Sequence, residues 1–139
     1  LIACDGVWSV QRAKAGYEKA RFSGHIAWRT TLAADALPVS FKAAIPEQKS
    51  VSAWLGKKAH FIAYPVKGGD FFNFVAITTG DNPGEVWSKT GDNARLQSIY
   101  ADWSNPVREV LTLATEVLNQ RDERVSDGFQ KYLLRKRPA

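Results

Sequence analysis

Residues 59–76 read Ala-His-Phe-Ile-Ala-Tyr-Pro-Val-Lys-Gly-Gly-Asp-Phe-Phe-Asn-Phe-Val-Ala, and no other stretch constrains the fold as tightly. Two runs rich in aromatic and β-branched residues flank Gly68-Gly69, a pair suited to a two-residue turn with positive φ at both positions. The stretch is therefore predicted to be a β-hairpin. Alternate side chains of a strand share a face, so His60, Ile62, Tyr64 and Val66 point one way and Phe61 and Ala63 the other. A His and a Tyr on one wall of a sheet can line a pocket, or they can belong to a core strand. Spacing alone favours the core strand, because Tyr is at home in strands.

The other elements arrange themselves around this hairpin. Leu1–Cys4 reads as a short apolar strand ending at Asp5-Gly6, Val7–Lys14 as a turn or short helix, and Tyr17–Gly24 as polar loop. His25–Ala33 is a strand, with Ile26, Trp28, Thr30 and Leu32 on one face and Ala27, Arg29 and Thr31 on the other. Pro38 and Pro46 break Asp35–Lys49 into a short helix or an irregular excursion. Val51–Leu55 is a strand that Gly56-Lys57-Lys58 turns into the hairpin. After the turn-rich Gly80–Gly84 come two helices. Asp92 or Asn93 caps the first, and Leu96, Ile99, Tyr100 and Trp103 recur at helical spacing. Asn105 is placed as the N-cap of the second, with Pro106 at its first position. Val107, Val110, Leu111, Ala114, Val117 and Leu118 form its buried stripe. Strands in sequence-adjacent antiparallel pairs, followed by helices, predict an α+β fold: a mainly antiparallel sheet with helices packed on one face. The opposite face is left for solvent, a partner domain or a ligand.

Composition narrows the function classes. The chain has 139 residues, 45% hydrophobic and 24% charged, as expected of a single globular domain. An aromatic content of 12% with five Trp implies a dense core or an aromatic-lined cavity. No apolar run has the length of a membrane span, and a cytoplasmic location is expected. Cys4 is the only cysteine and His25 and His60 the only histidines, so neither an internal disulfide nor a Cys- or His-rich metal site is expected. There is no Gly-x-Gly, hence no dinucleotide fingerprint or P-loop. The net charge of +5 is concentrated from Arg121 onward, where six basic residues stand against three acids. This basic tail is read as a solvated end rather than a nucleic-acid contact. The chain contains no Met and starts Leu1-Ile2-Ala3-Cys4-Asp5-Gly6, and it is expected to be a piece of something longer.

Four motifs in order then carry a resemblance. The run from Leu1 through Asp5-Gly6, Ser9 and Arg12 resembles the internal Ala-Asp-Gly-x-x-Ser-x-x-Arg motif of FAD-dependent aromatic hydroxylases, the salicylate hydroxylase-like flavoprotein monooxygenases, with Cys4 in place of the Ala. Phe22-Ser23-Gly24-His25-Ile26-Ala27-Trp28-Arg29 is similar to that family's Tyr-Ser-Gly-Tyr-x-Ala-Trp-Arg block. The hairpin from His60 to Ala76 is similar to its substrate-domain hairpin. Trp103 followed by Asn105-Pro106-Val107 and an amphipathic helix fits as well. The resemblance extends from Leu1 to about Asn119. The family's Gly-x-Gly-x-x-Gly and its later Gly-Asp motif have no counterpart here.

The resemblance implies three segments: residues 1–16 as the end of an FAD-binding domain, 17–119 as the substrate-binding domain, and 120–139 as a divergent or truncated basic tail. It implies a parent enzyme that uses FAD, NAD(P)H and O₂ to hydroxylate an aromatic ring. This segment alone is expected to be inactive and to retain no cofactor. Its expected partners are an aromatic small molecule and the missing flavin-binding segments, with no nucleic acid and no membrane. Its uncovered apolar sheet face points to self-association. By the same resemblance Asp5 and Gly6 would lie near the flavin, Arg12 would attract NAD(P)H phosphates, and His60 and Tyr64 would line the substrate pocket. A Tyr or His bonded to a phenol can hold it and help remove its proton. Arg29 is read as an ion-pair partner at the sheet. The alternative from a different class is a small-ligand-binding or interaction module that keeps the sheet and performs no chemistry.

Overall fold

The computed structural model describes residue 2, residues 4–45, 47, 49–82, 84, 89–119 and 130–136, the side chains of 89–90, 116–119 and 130–136 excepted. The helices are α1 (Val10–Lys14), α2 (Val39–Ala44), α3 (Asn93–Ile99) and α4 (Asn105–Asn119). The strands are β1 (Arg21–Ala33), β2 (Ser52–Leu55), β3 (Ala59–Val66), β4 (Phe71–Thr79), β5 (Lys89–Thr90) and β6 (Gln130–Lys136). They form one six-stranded sheet in the order β2-β3-β4-β1-β6-β5, and every pairing is antiparallel. The α+β architecture expected from the sequence is the one observed.

The hairpin register follows from the glycine pair. Val66 pairs with Phe71, Tyr64 with Asn73, Ile62 with Val75 and His60 with Ile77, as a turn centred on Gly68-Gly69 requires. The turn itself is longer than the expected two residues. Lys67–Gly69 forms a 3₁₀ turn closed by Asp70, and the run of positive φ starts at Lys67 (50°) and continues through Gly68 (74°) and Gly69 (109°). The Lys67 ammonium stands 4.8 Å from the centroid of the Phe71 ring, a cation–π contact across the loop.

One face of the sheet carries the core. Ile26, Trp28 and Leu32 of β1, Phe61 and Ala63 of β3, and Phe72, Phe74 and Ala76 of β4 are buried against Phe41 of α2, Leu96 of α3, and Val107, Val110, Leu111 and Ala114 of α4. The Phe41 ring is the hub, 5.3–5.9 Å from the rings of Phe74, Phe72 and Trp54. Three polar bonds lie inside this apolar layer. Trp28 Nε1 donates to Thr78 Oγ1 at 2.9 Å. Tyr100 Oη, just after α3, reaches the backbone carbonyls of His60 (2.8 Å) and Ile77 (3.2 Å).

Several expectations change at element ends. β1 begins at Arg21, so Arg21–Gly24 is strand rather than loop; a bulge between Phe22 and His25, with Gly24 at φ 82°, admits it. Ile2 and Cys4 belong to no strand, and Ile2 is fully exposed: a strand needs a ladder partner, and no described element pairs with it. Asp92 caps α3 as expected, accepting from the Arg95 amide. Asn105 does not cap α4. Ser104 accepts the first helical amides through its carbonyl, while Asn105 Oδ1 takes the guanidinium of Arg108 at 2.8 Å. Within the expected solvated tail, Gln130–Lys136 instead pairs with β1. Residues 120–129 and 137–139 lie outside the described residues, as do the side chains of Val117 and Leu118.

Candidate functional site

β3, β4 and β1 place a compact set of side chains on the face opposite the helices. Residues paired across an antiparallel ladder share a face. His60, Ile62 and Tyr64 of β3 therefore lie alongside Ile77, Val75 and Asn73 of β4, which in turn lie alongside Ala27, Arg29 and Thr31 of β1. The expected facing of His60 and Tyr64 holds: both are half-buried on this face, while Ala59, Phe61 and Ala63 between them make β3 a core strand on the other. The middle of this open face is apolar, with Ala27 and Val75 buried and Ile62 and Ile77 half-buried. Its margins are polar.

The polar groups are partly committed. Asn73 Nδ2 donates to Tyr64 Oη at 2.6 Å, and Thr31 Oγ1 donates to Asn73 Oδ1 at 3.2 Å. A hydrogen-bonded line thus crosses three strands. His60 Nδ1 is enclosed and has no hydrogen-bond partner among the described residues. A buried polar atom left unpaired costs free energy. Behind the face, the Tyr100 hydroxyl on the carbonyls of His60 and Ile77 ties the backbone of the same rung to α3. Tyr100 is fully buried, and burial raises its phenol far above the ordinary tyrosine range, with the Ile77 carbonyl as a smaller opposing influence.

Asp5, Gly6 and Arg12 form a second group. Gly6 sits at φ 71°, where Cβ-free backbone is needed. Ser9 Oγ caps α1 by accepting from the Arg12 amide at 2.9 Å. Asp5 Oδ2 accepts the Gln11 amide at 3.1 Å. Bonds from the Ser9 side chain and then the Gln11 amide hold the exposed carboxyl below its ordinary value. Arg12 Nε donates to the Glu18 carbonyl at 2.7 Å, with its guanidinium 5.8 Å from the Tyr17 ring centroid. Arg12 and Tyr17 border a cleft of about 290 Å³ whose walls include Trp8, Ser9 and Lys19. The structure therefore brings His60 and Tyr64 together on one wall, and Asp5, Gly6 and Arg12 together on a separate turn and helix.

Two residues of the open face, Asn73 and Thr31, are not singled out by sequence motifs. The signal was available for Asn73: a turn centred on Gly68-Gly69 pairs it with Tyr64. Among the described residues no group of three or more His, Cys, Asp or Glu is placed to hold a metal ion, and no helix is long and apolar enough to cross a membrane.

The chain is similar to known proteins over most of its length. No family model matches the chain. It is 35% identical over 127 residues to the FAD-dependent monooxygenase ntnJ of Nectria sp., covering 87% of this chain and 30% of that protein. It is 30% identical over 114 residues to 3-hydroxybenzoate 6-hydroxylase 2 of Aquipseudomonas alcaligenes, covering 81% of this chain and 34% of that one. Among solved structures, a salicylate hydroxylase substrate complex superposes with a TM-score of 0.69 at 20% identity, over 94% of this chain and 33% of that one. CtdE in complex with FAD gives 0.64 at 17% identity, over 94% of this chain and 34% of that one. The chain spans about a third of the length of these relatives.

Proposed function

From this chain's kinship with the FAD-dependent monooxygenases over most of its length, we propose that it forms the substrate-binding part of a single-component aromatic hydroxylase working with FAD, NAD(P)H and O₂. One observation carries the reading: the sheet face turned away from the helices has an apolar floor with His60, Tyr64 and Asn73 at its edge. A planar ring lies flat on Ile62, Val75 and Ile77, and its polar substituents reach the margin. Tyr64 Oη binds a ring oxygen. His60, half-buried on the same face, takes or holds the proton that a ring hydroxyl gives up. A phenol attacks an electrophilic oxygen more readily as the phenolate, so both contacts serve the chemistry. His60 and Tyr64 stand about 13 Å apart along β3 at roughly 3.3 Å per residue, which leaves room for one ring between their side-chain tips.

The flavin, when bound, supplies the activated oxygen. Asp5, Gly6 and Arg12 fit the edge of such a group: Gly6 lets the backbone turn, the Asp5 carboxylate accepts from hydroxyls, and Arg12 attracts phosphate. Alone they are too few to hold it, because the sequence has no Gly-x-Gly-x-x-Gly fingerprint to take the pyrophosphate. The relatives named for hydroxybenzoates favour a carboxylated phenol as substrate.

The test is the whole reading frame that contains this chain, expressed and purified. It is expected to be yellow with a flavin spectrum, to oxidise NAD(P)H under O₂ when a hydroxybenzoate is added, and to release a more hydroxylated ring. A colourless protein, or one that turns over no aromatic compound, overturns the reading.

A further inference from the structure

We propose that Thr31 and Asn73 fix the direction of the Tyr64 hydroxyl, so that Tyr64 meets the open face foremost as a hydrogen-bond donor. Asn73 is then a positioning residue that selects ring substituents able to accept, namely a carboxylate, a phenolate or a carbonyl oxygen. The inference rests on the open face being the substrate wall. The argument is one of donor and acceptor inventory. Thr31 Oγ1 donates to Asn73 Oδ1. That occupies the carbonyl end of the amide and turns its NH₂ end to Tyr64, where Nδ2 donates to Oη at 2.6 Å. The Tyr64 oxygen is thereby serving as acceptor, and its own proton is left for another partner. With Oη accepting from Asn73, a ring amine or a protonated hydroxyl offered as donor competes for the remaining lone pair. An oxyanion faces the free proton directly. Pro65 after Tyr64 biases its backbone to extended geometry, and the Tyr64–Asn73 pairing holds the two side chains on one rung. Tyr64 in this scheme is not the base. It stabilises the oxyanion that forms when the proton leaves by another route, and His60, half-buried on the same strand and face, is the group able to receive it.

The reversed polarity, with Tyr64 donating to Asn73 and Asn73 to Thr31, uses the same three groups and makes the opposite prediction. Asn73→Asp imposes its Tyr64 half, because a carboxylate can only accept, from Tyr64 and from Thr31 alike. The ring-mode Raman doublet of tyrosine distinguishes an accepting from a donating phenol, and subtracting the Tyr64→Phe spectrum isolates Tyr64 within the 139-residue chain. The expected result is an acceptor-type Tyr64 in the unliganded protein that becomes donor-type in Asn73→Asp and loses its acceptor signature in Asn73→Leu. In the full-length enzyme carrying the same substitutions, affinity for 3-hydroxybenzoate should fall about tenfold to a hundredfold in Asn73→Asp. The fall should be similar in Tyr64→Phe, and the double variant should lose no more than either single one. A donor-type Tyr64 in the unsubstituted chain overturns the proposal, as do additive losses. An acceptor-type spectrum that responds to Asn73→Asp, with no aromatic ligand bound by any variant, upholds the relay and counts against the substrate-wall reading instead.

Discussion

Removing one oxygen atom from the core tests how the helical layer supports the open face. Tyr100 is fully buried, and its hydroxyl sits 2.8 Å from the His60 carbonyl and 3.2 Å from the Ile77 carbonyl. Tyr100→Phe keeps the ring, and with it the edge contacts to Phe61 at 6.1 Å and Trp103 at 4.8 Å. What is lost is the hydroxyl bond. The carbonyls left short of a donor should cost about 1–3 kcal/mol, read as a lower urea midpoint with an unchanged slope. The pH dependence supplies a second signature. Burial raises the folded-state phenol above its unfolded value of about 10. Above that pH the unfolded chain releases this proton while the folded chain keeps it. The contribution of Tyr100 to stability is therefore complete below about pH 10 and is lost as pH rises beyond it. The stability difference between wild type and Tyr100→Phe should shrink between pH 9 and 11 on this ground. A variant within about 0.5 kcal/mol of wild type at neutral pH, or a gap that does not narrow on alkaline titration, refutes the reasoning.

Three further outcomes are expected. Phe41→Ala removes the ring that meets Trp54, Phe72 and Phe74 and should cost about 3–5 kcal/mol in chemical denaturation. Gly56→Ala should destabilise by about 1–3 kcal/mol, because its Cβ would stand 2.7 Å from the Trp103 ring and 3.2 Å from the Ala59 carbonyl oxygen; calorimetry would show a lower Tm. Asp5 has a lowered pKa, so its hold on the Gln11 amide is present above the ordinary carboxylate range and fades as pH falls through the depressed value. Hydrogen exchange at that amide should speed up on acidification in wild type and be fast and pH-insensitive, after correction for intrinsic rates, in Asp5→Ala.

The hairpin was legible because its register depends on local chemistry. Two consecutive glycines fix the centre of the turn, and the period of two then assigns every face from His60 to Ala76. The helices were legible from their apolar spacing and from Asp92. Sequence could not tell which face of β3 the helices would cover. Phe61 and Ala63 look no more buried in the sequence than Ile62 and Tyr64, and the choice is made by Phe41, Tyr100 and Val107 arriving from elements 20 to 46 residues away. Gln130–Lys136 was unreadable for a related reason. A strand inserted beside β1 is defined by its long-range partner, and its Lys and Arg residues mask the alternation that would have marked it. Of the candidate site, the pairing of His60 and Tyr64 on one face was visible, and the resemblance pointed to it. The Thr31–Asn73–Tyr64 line was not, since it needs the register of two ladders at once.

The most direct test of the substrate-wall account is coupling in the full-length enzyme, measured by rapid kinetics as hydroxylated product formed per NAD(P)H consumed, with Tyr64→Phe set against wild type. The account predicts that flavin reduction is retained while hydroxylation slows by about 10²–10³-fold, as for loss of one donor to a developing oxyanion, so that product per NAD(P)H falls and peroxide takes its place. Unchanged coupling in Tyr64→Phe would contradict it and leave β3 as scaffold.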